Sequence, residues 1–207
     1  MDQNIFSLQS KLTGNHLTVG SLFQYRDFQA GGFYWTPDAE EISLAAFGLF
    51  EKKIIDLTLQ ISSRVEYLTV IPEKSSIYLS NLDNSQVVNR NYPIFAAALG
   101  AFKAWKNWKL SFGTMLTGRA PSIEDLYSDG PHLGTYAYEI GQPKLGLEKT
   151  IGVEASLEHS TTKSDVRFTG FQNYSPNYHI STKMGDGYES GADWIEWGSG
   201  SSGWLYK

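Results

Sequence analysis

From Ile55 to Tyr67 the chain alternates apolar and polar residues almost without a break. Ile55, Leu57, Leu59, Ile61, Val65 and Tyr67 share one phase with Ser63, while Asp56, Thr58, Gln60, Ser62, Arg64 and Glu66 fill the other. A period of two puts one phase on each face of an extended strand, whereas a helix would need a period of 3.6. Leu145, Leu147, Ile151, Val153, Ala155 and Leu157 repeat the pattern against Glu148, Thr150, Glu154, Ser156 and Glu158. Weaker apolar sets follow the same rule. They are Phe6, Leu8 and Leu12; Leu17, Val19, Phe23 and Tyr25; Ile42, Leu44, Ala46 and Phe50; Tyr92, Ile94, Ala96, Ala98 and Phe102; Trp108, Leu110, Phe112 and Leu116; and Val166, Phe168 and Tyr174. These sets predict about eight antiparallel strands of about ten residues, longer than the five or six usual in soluble sheets and close to the 9–11 of a membrane strand.

The connections between these sets alternate in length. Gly14-Asn15, Glu51-Lys52-Lys53, Lys103 to Asn107 and Ser160 to Lys163 read as short turns, whereas residues 26–40, 68–91 and 119–144 read as long loops. Both ends of a soluble sandwich face water, so nothing there would sort loops by length. A transmembrane barrel has short turns on one side and long loops on the other. The fold expected is therefore all-β, an antiparallel transmembrane β-barrel segment. Eight such strands could close a small barrel, but the pattern begins and ends midway, so an incomplete arc of a larger barrel is expected. Composition agrees: aromatic residues are 14% and charged residues only 19%, against a usual charged share of about 25%. Aromatics near the strand ends, such as Tyr67, Tyr92, Trp105, Trp108 and Tyr174, suit a membrane–water interface. A soluble all-β module that binds carbohydrate or another ligand is the alternative, and it would require two packed sheets. The stretch after about Pro176 reads as irregular, with Gly198 to Gly203 as a flexible extracellular loop.

Several function classes fall away. A net charge of −5 leaves no basic footprint for nucleic acid. Without cysteine there are no disulfides, thiolate metal sites or cysteine nucleophiles. His16, His132, His159 and His179 show no metal-ligand spacing, and no nucleophile–base set accompanies Glu139 and Glu148. No catalytic residue, metal site or cofactor is assigned, and no enzyme activity is expected. Arg64 and Arg167 fall in the polar phase of their strands, which avoids a lipid-face cost of about 2–4 kcal/mol at mid-membrane.

One segment carries a specific resemblance. Gly118-Arg119-Ala120-Pro121-Ser122-Ile123-Glu124-Asp125-Leu126-Tyr127-Ser128-Asp129-Gly130-Pro131-His132 leads through Tyr138-Glu139-Ile140-Gly141-Gln142-Pro143-Lys144-Leu145 to Glu148. It resembles the C-terminal signature of TonB-dependent outer-membrane receptors, with Asp125 in place of the family's Glu and Gln142 in place of its Asn. Phe171-Gln172-Asn173-Tyr174 and the run Glu196 to Tyr206 also look like the family, so the resemblance covers about residues 92–207. It implies a place in a 22-stranded barrel of the bacterial outer membrane, closed by a plug domain and energised by TonB, that imports a scarce nutrient such as a metal–siderophore complex. The partners it implies are outer-membrane lipid, TonB, the plug and a small ligand. Residues 1–207 are then expected to be part of the barrel domain alone, with the plug domain absent. Met1 to Phe6 has neither a basic nor an apolar leader region, as expected of a fragment. Loop residues Tyr127, His132 and Tyr136 are the candidates for substrate contact, and Glu148 is expected to face the lumen.

Overall fold

The computed structural model describes residues 2–31, 35–74, 82–132, 137–189 and 192–202, with side chains to residue 182 apart from His132 and Ala137. Eight strands make one antiparallel sheet: β1 (Asp2–Thr13), β2 (Leu17–Gln29), β3 (Ala39–Ile54), β4 (Leu57–Pro72), β5 (Arg90–Trp105), β6 (Trp108–Arg119), β9 (Glu148–Ser160) and β10 (Asp165–Tyr174). They lie in that order, each hydrogen-bonded to the next. The β6–β9 connection carries a short helix α1 (Ile123–Tyr127) and two short strands, β7 (Asp129–His132) and β8 (Ala137–Ile140). β11 (Tyr178–Glu189) and β12 (Ala192–Ser202) pair as a hairpin, and β12 runs parallel to β8, giving a second sheet in the order β11-β12-β8-β7.

Burial is inverted relative to a soluble sheet. On β4 the apolar phase is exposed, with Ile61 50%, Val65 53% and Tyr67 53% open. The polar phase beneath it, Thr58 to Glu66, is half-buried or buried. Register carries the inversion across the sheet, because directly paired residues share a face. Val65 pairs with Ala46 and Phe95, Leu44 with Phe23 and Tyr67, and Phe112 with Ala101 and Ala155. No second sheet covers this apolar face among the described residues, so the packed sandwich of the soluble alternative is not what forms. Between Ile42 and Phe50, eight residue steps of about 3.4 Å, tilted by about 40°, span about 21 Å. That approaches the apolar band of about 25 Å on membrane barrels. The sheet does not close: β1 and β10 are its two edges.

Several expectations change in detail. The β3–β4 turn falls at Ile55-Asp56, not at Glu51 to Lys53: Ile54 pairs with Leu57, and Lys52 and Lys53 continue the ladder. Ile55 takes a φ of 58°, a left-handed conformation that a β-branched residue adopts reluctantly, so no sequence signal marks the turn. Strands run to 16 residues because polar ends such as Glu40-Glu41 and Lys52-Lys53 keep the backbone ladder beyond the apolar band. The long connections shrink accordingly. On β5 the set Tyr92, Ile94, Ala96 and Ala98 faces the polar side, and Pro93, Phe95, Ala97 and Leu99 face outward. Both phases of β5 are apolar, so alternation alone could not choose, and the partner register decides. After Pro176 the described residues form the β11–β12 hairpin, where the sequence pattern predicts an irregular stretch. Gly198 to Ser202 belong to β12, and Gly203 lies outside the described residues.

On the polar face close packing rests on glycine. A Cβ at Gly20 would lie 2.4 Å from both Phe47 Cζ and Ser10 O. Phe47 pairs directly with Gly20 and lays its ring over it. Gly152 is covered in the same way by Met115 and Asn173.

Candidate ligand-facing loop module

All three long connections leave the same end of the sheet, and they are built into one structure. Its core contains Phe28, Ala30, Ala39, Val70, Val87, Tyr92, Ile123, Leu126, Tyr127 and Leu145. Phe28, Ala39, Val70 and Tyr92 belong to the polar phase of β2–β5 at its loop end. The loops therefore fold onto the inner face of the sheet, not away from it. This is the sheet's one apolar core among the described residues, and it lies at the loop end rather than mid-strand.

Helix α1 starts this packing. Ser122 Oγ accepts the Asp125 N–H at 3.1 Å, and the Asp125 carboxylate accepts the Ser122 N–H at 3.1 Å, a reciprocal cap on a five-residue helix. Glu124 and Asp125 put negative charge where the helix dipole favours it. The helix can then bury Ile123, Leu126 and Tyr127, each at most 1% exposed. Tyr127 donates its hydroxyl to Val88 O at 2.5 Å, and Tyr92 donates to Leu145 O at 3.2 Å. Burial pushes the Tyr127 phenol up to about 12, because the ionised form would lose its hydration.

Asp129 is the hub. It is 1% exposed. Its carboxylate accepts the Leu82 N–H at 2.8 Å and the Tyr138 hydroxyl at 3.2 Å, and its own N–H donates to Trp35 O at 2.7 Å. One residue thus joins all three connections. Two signature glycines allow the fit. A Cβ at Gly130 would lie 2.9 Å from Trp35 Cα, and one at Gly141 would lie 2.5 Å from the Leu126 carbonyl carbon. At the head of β9, Glu148 is 7% exposed and sits on the inner face, as the alternation predicts. It accepts from Arg119 at 2.8 Å and from the His179 N–H at 3.0 Å. The His179 ring, 6% exposed, has no hydrogen-bond partner on either nitrogen. In the 72–90 connection the Ser85 N–H, donating at 2.8 Å, holds the Asp83 carboxyl below its usual range.

Of the three candidate contact residues, Tyr127 lies inside this core, where it ties α1 to the β4–β5 connection. His132 ends β7, with its side chain outside the described residues, and Tyr136 lies outside them altogether. Sequence reasoning missed Asp129, Tyr92, Gly130 and Gly141 as organising residues. Gly130 and Gly141 stand in the signature, but their close approach to Trp35 and to Leu126 is a tertiary property.

Below the module, the inner face is polar and ion-paired. Arg26 bonds Glu41 at 3.0 Å, Arg64 bonds Glu66 at 2.7 Å, and Arg167 bonds Glu158. A recess of about 400 Å³ lies in this wall, floored by Gly100, Gly113 and Gly152 and edged by Gln60, Glu154 and Phe171. The three glycines meet only through register, so no local sequence signal announces the recess. Among the described residues, no group of three or more His, Cys, Asp or Glu could hold a metal ion.

Comparison with known proteins agrees with this architecture. A family model described as TonB dependent receptor-like, beta-barrel matches residues 2–197. The crystal structure of the siderophore receptor PirA from Pseudomonas aeruginosa superposes with a TM-score of 0.55 at 13% identity, over 96% of this chain and 44% of that one. At that identity the likeness concerns the fold, and the chain spans less than half of the receptor's length.

Proposed function

We propose that this chain, which belongs to the TonB-dependent receptor-like β-barrel family, supplies a wall and its extracellular loop module to a receptor that imports a metal–siderophore complex or a nutrient of similar size. Family membership carries the coarser conclusion of a receptor and transporter in the bacterial outer membrane. The apolar phase then faces lipid, the ion-paired phase faces the lumen, and the end bearing 30–38, 73–89 and 120–147 faces the outside. The observation behind this orientation is the inverted burial of the β4 phases together with loop length sorted by end.

The finer proposal concerns what the lumen does. A polar wall with its arginines neutralised in pairs offers hydrogen bonds without a strong net field, which suits passage of a large polar solute. The loop module, folded over the inner face at the outer end, is the first surface such a solute meets. Tyr136 and His132 are the proposed contact residues there, with Tyr127 holding the loop that carries them. A plug domain that closes the lumen and TonB as the energy source are the proposed partners. The PirA neighbour, described as a siderophore receptor, supports a chelate as the class of cargo.

The test is ligand binding by the receptor containing this segment, followed through quenching of tryptophan fluorescence by ferric chelates. Saturable quenching that Tyr136→Ala weakens supports the proposal. Equal quenching in parent and variant, or none with any chelate or metal complex, would remove these loop residues from the cargo site.

A further inference from the structure

Charge on the outward, apolar phase is confined to the strand ends. At the loop end it comprises Asp2, Asp27, Glu40 and Lys149. At the short-turn end it comprises Lys52 and Lys103 alone, among the described residues. The acids nearest in sequence point the other way: Glu51 is on the inner face accepting from Gln60, and Glu158 pairs there with Arg167. The intervening turns add one charge of each sign, Asp56 and Lys106.

The two lysines differ from four of the five inward arginines in having nothing to neutralise them. Arg26, Arg64, Arg119 and Arg167 each meet a carboxylate. Lys52 and Lys103 are exposed and make no hydrogen bond or ion pair in the structure. They flank β4 on one face. Lys52 stands opposite Leu59, and Lys103 opposite Leu57. Two strand spacings of about 4.8 Å and an offset of two residues put their Cα atoms about 12 Å apart, within reach of one headgroup for two side chains of this length. The neighbouring outward positions are Trp105 and Trp108, cross-strand partners, with the His159 ring 4.3 Å from Trp108. Tryptophan and lysine together at the edge of an apolar band mark the headgroup level of a leaflet.

We propose that Lys52 and Lys103 form a binding site for the phosphate of an anionic phospholipid in the leaflet on the short-turn side. The proposal rests on the apolar face meeting lipid. The acyl chains would lie along Ile61, Val65 and Leu99, and the phosphate would supply the counter-charge that no protein carboxylate provides. Phosphatidylglycerol offers that charge at a single phosphate, whereas phosphatidylcholine cancels it with its own ammonium.

Native mass spectrometry of the detergent-purified receptor containing this segment, titrated with phosphatidylglycerol or phosphatidylcholine, tests the site. Each lysine near the headgroup contributes about 5-fold in affinity. K52Q/K103Q should weaken the first phosphatidylglycerol by about 25-fold and leave phosphatidylcholine unchanged. K52R/K103R should keep parental affinity, and K149Q at the opposite end should have no effect. Equal phosphatidylglycerol affinity in parent and K52Q/K103Q would overturn the lysine site while leaving the lipid face standing. Failure of both lipids to bind the parent would overturn the lipid face as well.

Discussion

Val65→Arg separates a lipid-facing wall from a water-facing one. Val65 lies on the outward phase of β4, 53% exposed, with Ala46 and Phe95 as its cross-strand neighbours. It is eight residues from the start of β4 and seven from its end, about 25 Å of strand in each direction. In water, an arginine at such an exposed position would change stability by no more than about 0.5 kcal/mol. On the lipid face near mid-membrane it should cost about 2–4 kcal/mol, because charge on that face is confined to the strand ends and the side chain is too short to reach either interface. That is about 30-fold to 1,000-fold in the folding equilibrium constant. The inner-face control is Ser62→Arg, whose cost should stay below about 1 kcal/mol in a wall already holding Arg64 and Glu66. Guanidinium titration of the receptor in lipid vesicles, followed by tryptophan fluorescence, reads both variants against the parent. A cost for Val65→Arg under 0.5 kcal/mol, or one equal to that of Ser62→Arg, would refute the assignment of faces.

Gly20→Val should destabilise the sheet by about 1–3 kcal/mol, since its Cβ would meet Phe47 Cζ and Ser10 O at 2.4 Å. Adding Phe47→Ala should recover only part of the loss in a guanidinium titration, because the Ser10 carbonyl stays in place. Asp129→Ala leaves the Leu82 N–H and the Tyr138 hydroxyl without their acceptor, a cost of about 1–3 kcal/mol, and limited proteolysis should then cut within 72–90 before the strands are touched. Tyr127 ionises near 10.0 in an unfolded chain and at about 12 in the module. The folded state therefore holds this proton more tightly. Its contribution is complete below pH 10 and is lost as pH rises from 10 to 12. Hydrogen exchange in 120–147 should accelerate over that window in the parent and change less in Tyr127→Phe, and equal pH profiles would contradict the assignment.

Much of the wall was legible because a strand's side-chain period is short and absolute. Leu57 to Tyr67 and Ile151 to Leu157 each state which face is apolar, and the structure keeps both assignments along with the inward placement of Arg64, Glu148 and Arg167. β5 was not legible, since Tyr92 to Phe102 is apolar in both phases and only pairing with β4 sets its faces. The Ile55-Asp56 turn was hidden because ladder pairing through Lys52 and Lys53 overrides local turn propensity there. The loop signature identified a family but not its physics. Asp129, Gly130 and Gly141 act through contacts with Leu82, Trp35 and Leu126, residues remote in sequence or on separate elements, and spacing encodes none of these contacts. The β11–β12 hairpin shows the same limit: glycine and serine at 198–202 suggest a loop, yet backbone pairing with β11 needs no apolar side chain.

The central claim is that alternate residues of one strand see lipid and lumen. This chain has no cysteine of its own, so with any cysteine elsewhere in the receptor replaced, single cysteines placed in turn from Thr58 to Tyr67 give a clean scan once spin-labelled in the receptor reconstituted in a bilayer. Collision with oxygen, which concentrates in lipid, should peak at Leu59, Ile61, Ser63, Val65 and Tyr67. Collision with a water-soluble nickel chelate should not exceed oxygen at any of those positions, and oxygen accessibility should fall at Thr58, Gln60, Ser62, Arg64 and Glu66. A flat profile, or oxygen maxima on the Thr58 phase, would contradict the account.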